Sequence, residues 1–148
     1  MVMKSKTLNL LTFLALLVAP MLVWAQGHVV VIVNSENTQQ LTLDDVKQIY
    51  SDKVIKWKNG NKVDVYNLPL LTSHATEVFS ENVLGMSAVE AARNLSNKNI
   101  TNTIRNPQKT KSAEMVTLLV SRNKDAIGYC FEDDIKGRRT IRIIGTLD

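Results

Sequence analysis

Cysteine is almost absent from this sequence of 148 residues, in which Cys130 stands alone. No disulfide can therefore form within the chain, and the burial of apolar side chains has to stabilise the fold. Cys130 lies in the apolar run AIGYCF, which predicts a buried and inert thiol rather than a nucleophile. The sequence also lacks internal repeats and low-complexity segments. Its length is enough for one domain with an apolar core but not for two.

Charge of one sign is in small excess. The chain has 18 Lys and Arg residues against 14 Asp and Glu residues, a formal charge of +4 at pH 7. Lys4 and Lys6 supply two of those charges and lie in the N-terminal segment that we expect to be removed. The remaining excess is too weak for a nucleic-acid-binding surface, so we expect no nucleic acid among the partners.

The one long apolar run lies at the N-terminus. It follows a basic start, covers about 16 residues and ends in VWAQ, where Val23 and Ala25 match the residues that precede a cleavage site. We therefore expect a signal peptide over residues 1–25, export to the periplasm, and one domain over residues 26–148 without a membrane span. A retained anchor is the alternative, but a span needs about 20 apolar residues. Because no cysteine stands directly after the run, we do not expect a lipoprotein anchor.

The first half of the remaining sequence predicts a strand, a helix and a second strand. HVVVIVN, from His28, is a continuous β-branched run that is typical of an interior strand buried on both faces. LTLDDVKQIY predicts an amphipathic helix that Thr42 caps and whose first turn contains Asp44 and Asp45. VDVYN alternates like a half-buried or edge strand, and Pro69 prevents its continuation as an interior strand.

The second half predicts three helices followed by two strands. A helix over residues 73–84 stops at Gly85, and the capping box SAVE opens another helix that reaches about Leu95. The polar, Asn-rich segment over residues 96–111 predicts a long loop. A helix over residues 112–122 precedes the last two strands, AIGYCF and TIRIIG. The apolar side of that helix is predicted at Met115, Leu118 and Leu119. This order predicts an α/β fold with a mixed sheet flanked by helices.

Four segments in sequence resemble the second lobe of the phosphate-binding proteins of phosphate ABC transporters, which have the type II periplasmic-binding-protein fold. They are VVVIVN, LTLDDVKQIYSDKVIKW, the next strand with its serine-started helix, and DAIGYC. The positions of the family's helix pattern are occupied here by Ile49, Tyr50, Lys53, Val54 and Trp57. The resemblance covers residues 29–131. It implies one lobe of that fold, as in the short single-lobe proteins of this type.

The resemblance also implies a ligand site in the turn LLTSHATEVF. Aligning the family's phosphate-binding serine on this turn places it at Ser73, with His74 and Ala75 after it and Thr72 before it. The serine hydroxyl and the following backbone amides would hold phosphate or a similar oxyanion. A physical reason supports this independently, because the first amides of a helix have no acceptor within it and the helix dipole adds partial positive charge. The implied protein partner is an ABC permease or another envelope protein.

Two departures separate this chain from the family pattern. The family's arginine, a fixed cation with a forked set of donors, falls on Leu68 or Pro69, and the acidic residue after it falls on Leu71. The family closes two lobes around its ligand, whereas the pattern here covers one. We therefore expect weak binding. The alternative is an envelope sensory or protein-interaction module that kept the fold without the ligand.

Each candidate residue also has an ordinary structural interpretation. Ser73, or Thr72 in its place, can act as a helix N-cap, and His74 can be a solvent-exposed helix residue. We do not expect an enzyme, because adjacent side chains at a helix start diverge and no carboxylate is placed locally to orient the imidazole. His28 and His74 make no metal-ligand cluster by their spacing, and no cofactor is expected.

The predicted loop over residues 96–111 is basic. Its cations are Lys98, Arg105, Lys109 and Lys111. They form either a solvated surface or one that docks an acidic partner or attracts anions toward the helix starts at Ser73 and Ser112.

Overall fold

The computed structural model describes residues 27–101 and 107–148. The expected signal peptide over residues 1–25 and the basic residue Arg105 lie outside this part of the chain. The strands are β1 (Val29–Asn34), β2 (Asp64–Asn67), β3 (Gln108–Lys109), β4 (Ala126–Phe131) and β5 (Ile141–Leu147). The helices are α1 (Leu43–Tyr50), α2 (His74–Phe79), α3 (Ala88–Thr101) and α4 (Ala113–Arg122). A π-helical turn, Ser80–Leu84, continues α2, and a 3-10 helix covers Glu132–Ile135.

The strands form one mixed sheet of five strands in the order β3-β2-β4-β1-β5. β2 runs parallel to β3 and β4, whereas β1 is antiparallel to β4 and β5. Helices pack on both faces of the sheet. Gly128 of β4 lies under Val116 of α4, and the next residue, Tyr129, points to the opposite face and stacks on Phe79 of α2. The predicted α/β fold with a helix-flanked mixed sheet is confirmed.

The strand β1 is the centre of the antiparallel part of the sheet. All of its residues are buried, and it pairs with β4 along one edge and β5 along the other. A strand with both faces and both edges covered can be apolar throughout, which explains the uninterrupted run from Val29 to Val33. The prediction of an interior strand is confirmed.

The prediction that β2 is a half-buried or edge strand is wrong. Residues Val65 to Asn67 are buried, and β2 pairs with β4 on one side and with the short strand β3 on the other. Two polar residues, Gln108 and Lys109, form β3, so no apolar pattern revealed this neighbour in the sequence.

The predicted start of α1 is confirmed. The Thr42 hydroxyl accepts from the Asp45 backbone N–H at 3.2 Å, and the Asp45 carboxylate accepts from the Thr42 N–H at 2.8 Å. The Thr42 hydroxyl also donates to the Asp45 carboxylate at 2.8 Å, and the bonds that this carboxylate accepts from the Thr42 N–H and, secondarily, from the Thr42 hydroxyl lower the pKa of Asp45. Val46, Ile49 and Tyr50 are buried, as the amphipathic pattern predicts.

The end of α2 and the start of α3 are also confirmed. Gly85 closes the helical segment with φ 71°, in the left-handed region that favours glycine. The Ser87 N–H donates to the Glu90 carboxylate at 2.9 Å, and the Glu90 N–H donates to the Ser87 hydroxyl at 3.2 Å. This is the predicted capping box.

The prediction of a loop from residue 96 is wrong, because α3 continues to Thr101. Leu95 is buried, and the Lys98 ammonium donates to the Ser51 carbonyl and to the Asp52 carboxylate, each at 3.1 Å. These tertiary contacts hold the second half of α3 against the end of α1 and outweigh the low helix propensity of its asparagines.

The helix α4 forms where predicted but buries a different side. Val116, Thr117 and Val120 are the buried residues, whereas Met115 is exposed. Gly128 determines which side of α4 faces the sheet, because it has no side chain and leaves room on β4 for Val116 and Val120. The prediction of the apolar side is therefore wrong for Met115, whereas Leu119 is partly buried and packs against the core as predicted.

Cys130 is fully buried in β4. Burial, and secondarily the negative charge of Asp134, raises the pKa of its thiol to about 12. Both properties match the predicted inert thiol.

We expect the thiol of the folded protein to resist Ellman's reagent at pH 8, because the reactive thiolate is scarce and inaccessible. In guanidinium chloride the same thiol should react completely. Rapid reaction of the folded protein would contradict the buried placement of Cys130.

The closeness of α4 to the sheet can be tested at Gly128. A Cβ added there would lie 2.5 Å from Cγ1 of Val116, so Gly128→Ala should lower the free energy of unfolding by about 1–3 kcal/mol through overpacking. Val116→Ala removes the opposing methyl groups. In urea titrations the double variant should be less destabilised than the sum of the single variants. Strict additivity would show that α4 does not meet β4 at this point.

Candidate functional site

The candidate site lies where parallel strands of the sheet end. β2 ends at Asn67, β3 at Lys109 and β4 at Phe131, and because they are parallel their carboxyl ends share one edge. The chain passes from β2 into α2 and from β3 into α4 at that edge. In open α/β sheets, ligands bind outside the carboxyl ends of the strands. The topology therefore brings two helix starts to the edge at which a ligand is expected.

A cavity of 470 Å³ at this edge contains both helix starts. We call it the edge cavity. It is lined by Leu68, Pro69, Thr72, Ser73, His74, Lys111, Ser112, Ala113 and Phe131. Three of the four predicted residues, Thr72, Ser73 and His74, line it. The side chain of Ala75 is buried away from it, so this residue can contribute only its backbone N–H.

The start of α2 leaves a serine hydroxyl unused by the helix. Ser73 is the N-cap residue, and its carbonyl accepts from the N–H groups of Thr76 at 3.0 Å and Glu77 at 3.3 Å. Its hydroxyl makes no capping hydrogen bond. The N–H groups of His74 and Ala75 precede the first intrahelical donor and so have no acceptor within the helix. Ser73 rather than Thr72 takes the N-cap position, but the interpretation as an ordinary side-chain cap does not hold.

The start of α4 adds a second set of donors. Ser112 is its N-cap, and the hydroxyl accepts from the Met115 N–H at 3.2 Å. The N–H groups of Ala113 and Glu114 come before that donor in the first turn, where acceptors within the helix are lacking. Lys111 lies directly before the cap and is exposed. The edge cavity thus combines two helix N-termini with one ammonium group.

The two loops that approach the cavity are tied together. Thr110 donates to the Asn67 carbonyl through its backbone N–H at 2.8 Å and through its hydroxyl at 2.9 Å. These bonds connect the end of β2 to the turn before α4 and fix the spacing of the helix starts.

A buried hydroxyl pair holds the turn before α2. Thr76 Oγ1 lies 3.2 Å from the Pro69 carbonyl, to which it donates, and 3.1 Å from the hydroxyl of Tyr129. Burial raises the pKa of Tyr129 to about 12, so this phenol is neutral near pH 7. The turn at Pro69 is therefore anchored to the central strand β4.

One expectation about His74 is wrong, because a carboxylate does lie beside it. His74 Nδ1 is 2.9 Å from the Glu77 carboxylate, and its ring stacks on Phe131 at 6.4 Å between centroids. On a helix, i and i+3 side chains are neighbours, a spacing that the sequence displays. In the described residues no hydrogen bond joins Ser73 to His74. Glu77 thus orients the imidazole.

The cation of the edge cavity does not come from the position of the family's arginine. Leu68 is buried and Leu71 is 67% exposed. Both side chains are apolar and uncharged, so neither replaces a guanidinium or its carboxylate partner. Lys111, on the loop after β3, supplies the positive charge instead. Among the cavity-lining residues, sequence patterns assigned no role to Ala113 and Phe131, and they marked Leu68 and Pro69 only as positions where the family's arginine is missing. The rule that ligands meet the ends of parallel strands was the signal that could have found them.

The described ranges 27–101 and 107–148 contain no group of three or more His, Cys, Asp or Glu side chains that could hold a metal ion. Within them, no helix has the length and apolar character that a membrane crossing needs.

Comparison with known proteins gives matches among solved structures. No protein-family model matches this sequence, and no curated protein does. The chain is similar to PstS from Borrelia burgdorferi, with a TM-score of 0.61 and 16% identity over 80% of this chain and 46% of that one. It is also similar to a possible phosphate binding protein from Planctomyces limnophilus DSM 3776, with a TM-score of 0.58 and 15% identity over 79% and 40% of the two chains.

A candidate phosphate ABC transporter substrate-binding protein from Clostridium perfringens, solved with bound phosphate, gives a TM-score of 0.55 and 24% identity over 81% and 54% of the chains. This chain thus spans 40–54% of the length of these proteins. The likeness shows the fold, and it confirms the fold that the sequence resemblance implied. The matched region is one portion of each longer chain.

The anchoring of the turn before α2 can be tested with Thr76→Val. The change removes the hydroxyl between Pro69 and Tyr129, so we expect a loss of about 1 kcal/mol in unfolding free energy and faster amide exchange at residues 70–75. Thr117→Val is the matched control, because Thr117 is equally buried but donates within α4, to the Glu114 carbonyl. Faster exchange of residues 70–75 in the control, or no change in Thr76→Val, would contradict this anchoring.

Proposed function

We propose that this protein is a non-enzymatic solute-binding protein that binds phosphate or a similar oxyanion in the edge cavity. The observation that carries the proposal is the meeting of two helix N-termini and Lys111 in one cavity. Ser73 donates its hydroxyl, the amides of His74 and Ala75 donate from α2, and the amides of Ala113 and Glu114 donate from α4. Thr72 lies at the rim.

The chemistry of the cavity favours a small anion. Unpaired backbone N–H groups at helix starts point outward, and the helix dipoles add partial positive charge. Lys111 adds a full charge that is a point donor rather than a fork. The Glu77 carboxylate, 2.9 Å from His74, reduces the local positive potential. We therefore expect weak binding, of the order of 1 mM, which corresponds to about 4 kcal/mol.

The solved structures support a solute-binding role through their fold. The similar protein from Planctomyces limnophilus is a possible phosphate binding protein, and the one from Clostridium perfringens contains bound phosphate. We propose that this chain works in the same kind of uptake system, after export to the periplasm, with an ABC permease as partner.

A second candidate function is an envelope interaction or sensory module without a ligand. It is favoured by Leu71, which is 67% exposed beside the cavity, and by Met115, which is exposed in the first turn of α4. Apolar side chains next to a ligand site fit a protein contact. Under this alternative, phosphate would leave the unfolding temperature unchanged, whereas a ligand of the native state must raise it.

Calorimetric titration with sodium phosphate at low ionic strength tests the first function. We expect saturable heat, with affinity about tenfold lower for Lys111→Gln and about threefold lower for Ser73→Ala, since these changes remove a charged and a neutral donor. Lys62→Gln is the matched control. Lys62 is exposed and lies before β2, at the opposite edge of the sheet, so the same loss of net charge should leave affinity nearly unchanged.

Two results would contradict the proposal. If no heat appears up to about 10 mM phosphate, the dissociation constant lies well above the expected value of about 1 mM. This result would favour the interaction module. Equal weakening by Lys62→Gln and Lys111→Gln would show that only net charge matters.

A further inference from the structure

A second cavity lies on the face of the sheet that carries Tyr129. Its volume is 450 Å³, and it shares no lining residue with the edge cavity. We call it the face cavity. Its floor is an aromatic cluster in which Phe79 stacks on Tyr129 at 4.0 Å between centroids and on Tyr50, tilted, at 4.6 Å. Its volume falls within the range of about 300–1,000 Å³ that small-molecule sites occupy.

Two polar side chains line the face cavity without hydrogen-bond partners. Asn67 is 6% exposed and Ser80 is 1% exposed. Within residues 27–101 and 107–148, no hydrogen bond reaches the Asn67 side-chain amide or the Ser80 hydroxyl, although the backbone carbonyls of both residues are bonded. A buried polar group without a partner is costly, so it calls for an explanation. A ligand that supplies the partners would be one.

The direction of the Asn67 side chain follows from the strand. Tyr66 lies beside Gly128 on the α4 face of the sheet, where its Cβ is 4.0 Å from the position of an added Cβ. Neighbouring residues of a strand point to opposite faces, so Asn67 points to the face of Tyr129 and into the cavity that it lines.

Ser80 reaches the same cavity from the π-helical turn. Ser80 and Leu84, the first and last residues of that turn, both line it. Such turns are rare, and they occur frequently at functional sites. The irregular backbone thus coincides with one of the two unpartnered side chains.

The charge of the face cavity favours a neutral ligand. Lys98 is its one charged lining residue in the described part of the chain, and its ammonium lies 3.1 Å from the Asp52 carboxylate. The remaining walls are largely apolar and include Leu70, Leu84, Met86 and Leu95. Among the lining residues that the structure describes, an anion would find no uncompensated cation, unlike in the edge cavity.

We propose that the face cavity binds a small neutral molecule with a planar apolar body and an amide-like edge. The body packs on Phe79 and Tyr129. The edge pairs with Asn67, whose side chain both donates and accepts, as a second amide does. The Ser80 hydroxyl provides a further hydrogen bond. This site does not depend on the oxyanion function.

Benzamide and toluene are matched probes, because they share the ring and differ in the amide. We expect benzamide to shift the backbone NMR signals of Ser80 and Leu95 saturably in the full protein. Asn67→Leu, similar in shape, should weaken benzamide about tenfold, the equivalent of a hydrogen bond within the cavity, and should not weaken toluene. Ser80→Ala should weaken benzamide about threefold. Asn82→Leu is the control, because Asn82 is exposed and lines no part of this cavity.

Asn67→Leu should also raise the unfolding temperature, because it removes an unpaired buried amide, and this shows that the variant is folded. The proposal is overturned if benzamide causes no saturable shifts at Ser80 and Leu95. It is equally overturned if Asn67→Leu binds benzamide as tightly as the original protein, or if Asn82→Leu weakens it to the same extent.

Discussion

The parallel pairing of β2 with β4 brings the starts of α2 and α4 to the same end of the sheet. It aligns Asp64 with Ala126 and Val65 with Ile127, so the carboxyl ends of the two strands point to the same end of the sheet. With β3 parallel on the other side of β2, the chain leaves the sheet at one edge and begins α2 and α4 there. Reversing one of these strands would separate the helix starts, and their dipoles would no longer act on the same volume.

Sequence patterns predicted the elements whose signals are local. β1 is covered on every side, so its apolar run is unbroken. The cap at Thr42 depends on a hydrogen bond with Asp45, three residues further along the chain. The fold class followed from the order of these elements and from the resemblance. For the site, the resemblance implied the turn before α2, the unpaired amides of a helix start supported it physically, and Ser73 and His74 do line the edge cavity.

What the sequence did not predict depends on contacts between distant residues. β3 has two polar residues and is defined by its pairing with β2. The second half of α3 is held by Lys98 across the end of α1, and the buried side of α4 is chosen by the absence of a side chain at Gly128. The sequence offered Lys111 as a cation that could attract anions toward the helix starts, but its position in the edge cavity depends on the same β2–β3 pairing. None of these contacts leaves a periodic pattern in its own segment.

The two cavities differ in charge, and this separates what each can hold. The edge cavity has amide donors and an exposed ammonium, whereas the face cavity has an ion-paired lysine over an aromatic floor. We infer that both helix starts act on one anion. In a phosphate titration followed by amide NMR, the signals of His74, Ala75, Ala113 and Glu114 should shift together with one dissociation constant. Shifts confined to a single helix start, or absent from both, would contradict a shared anion site.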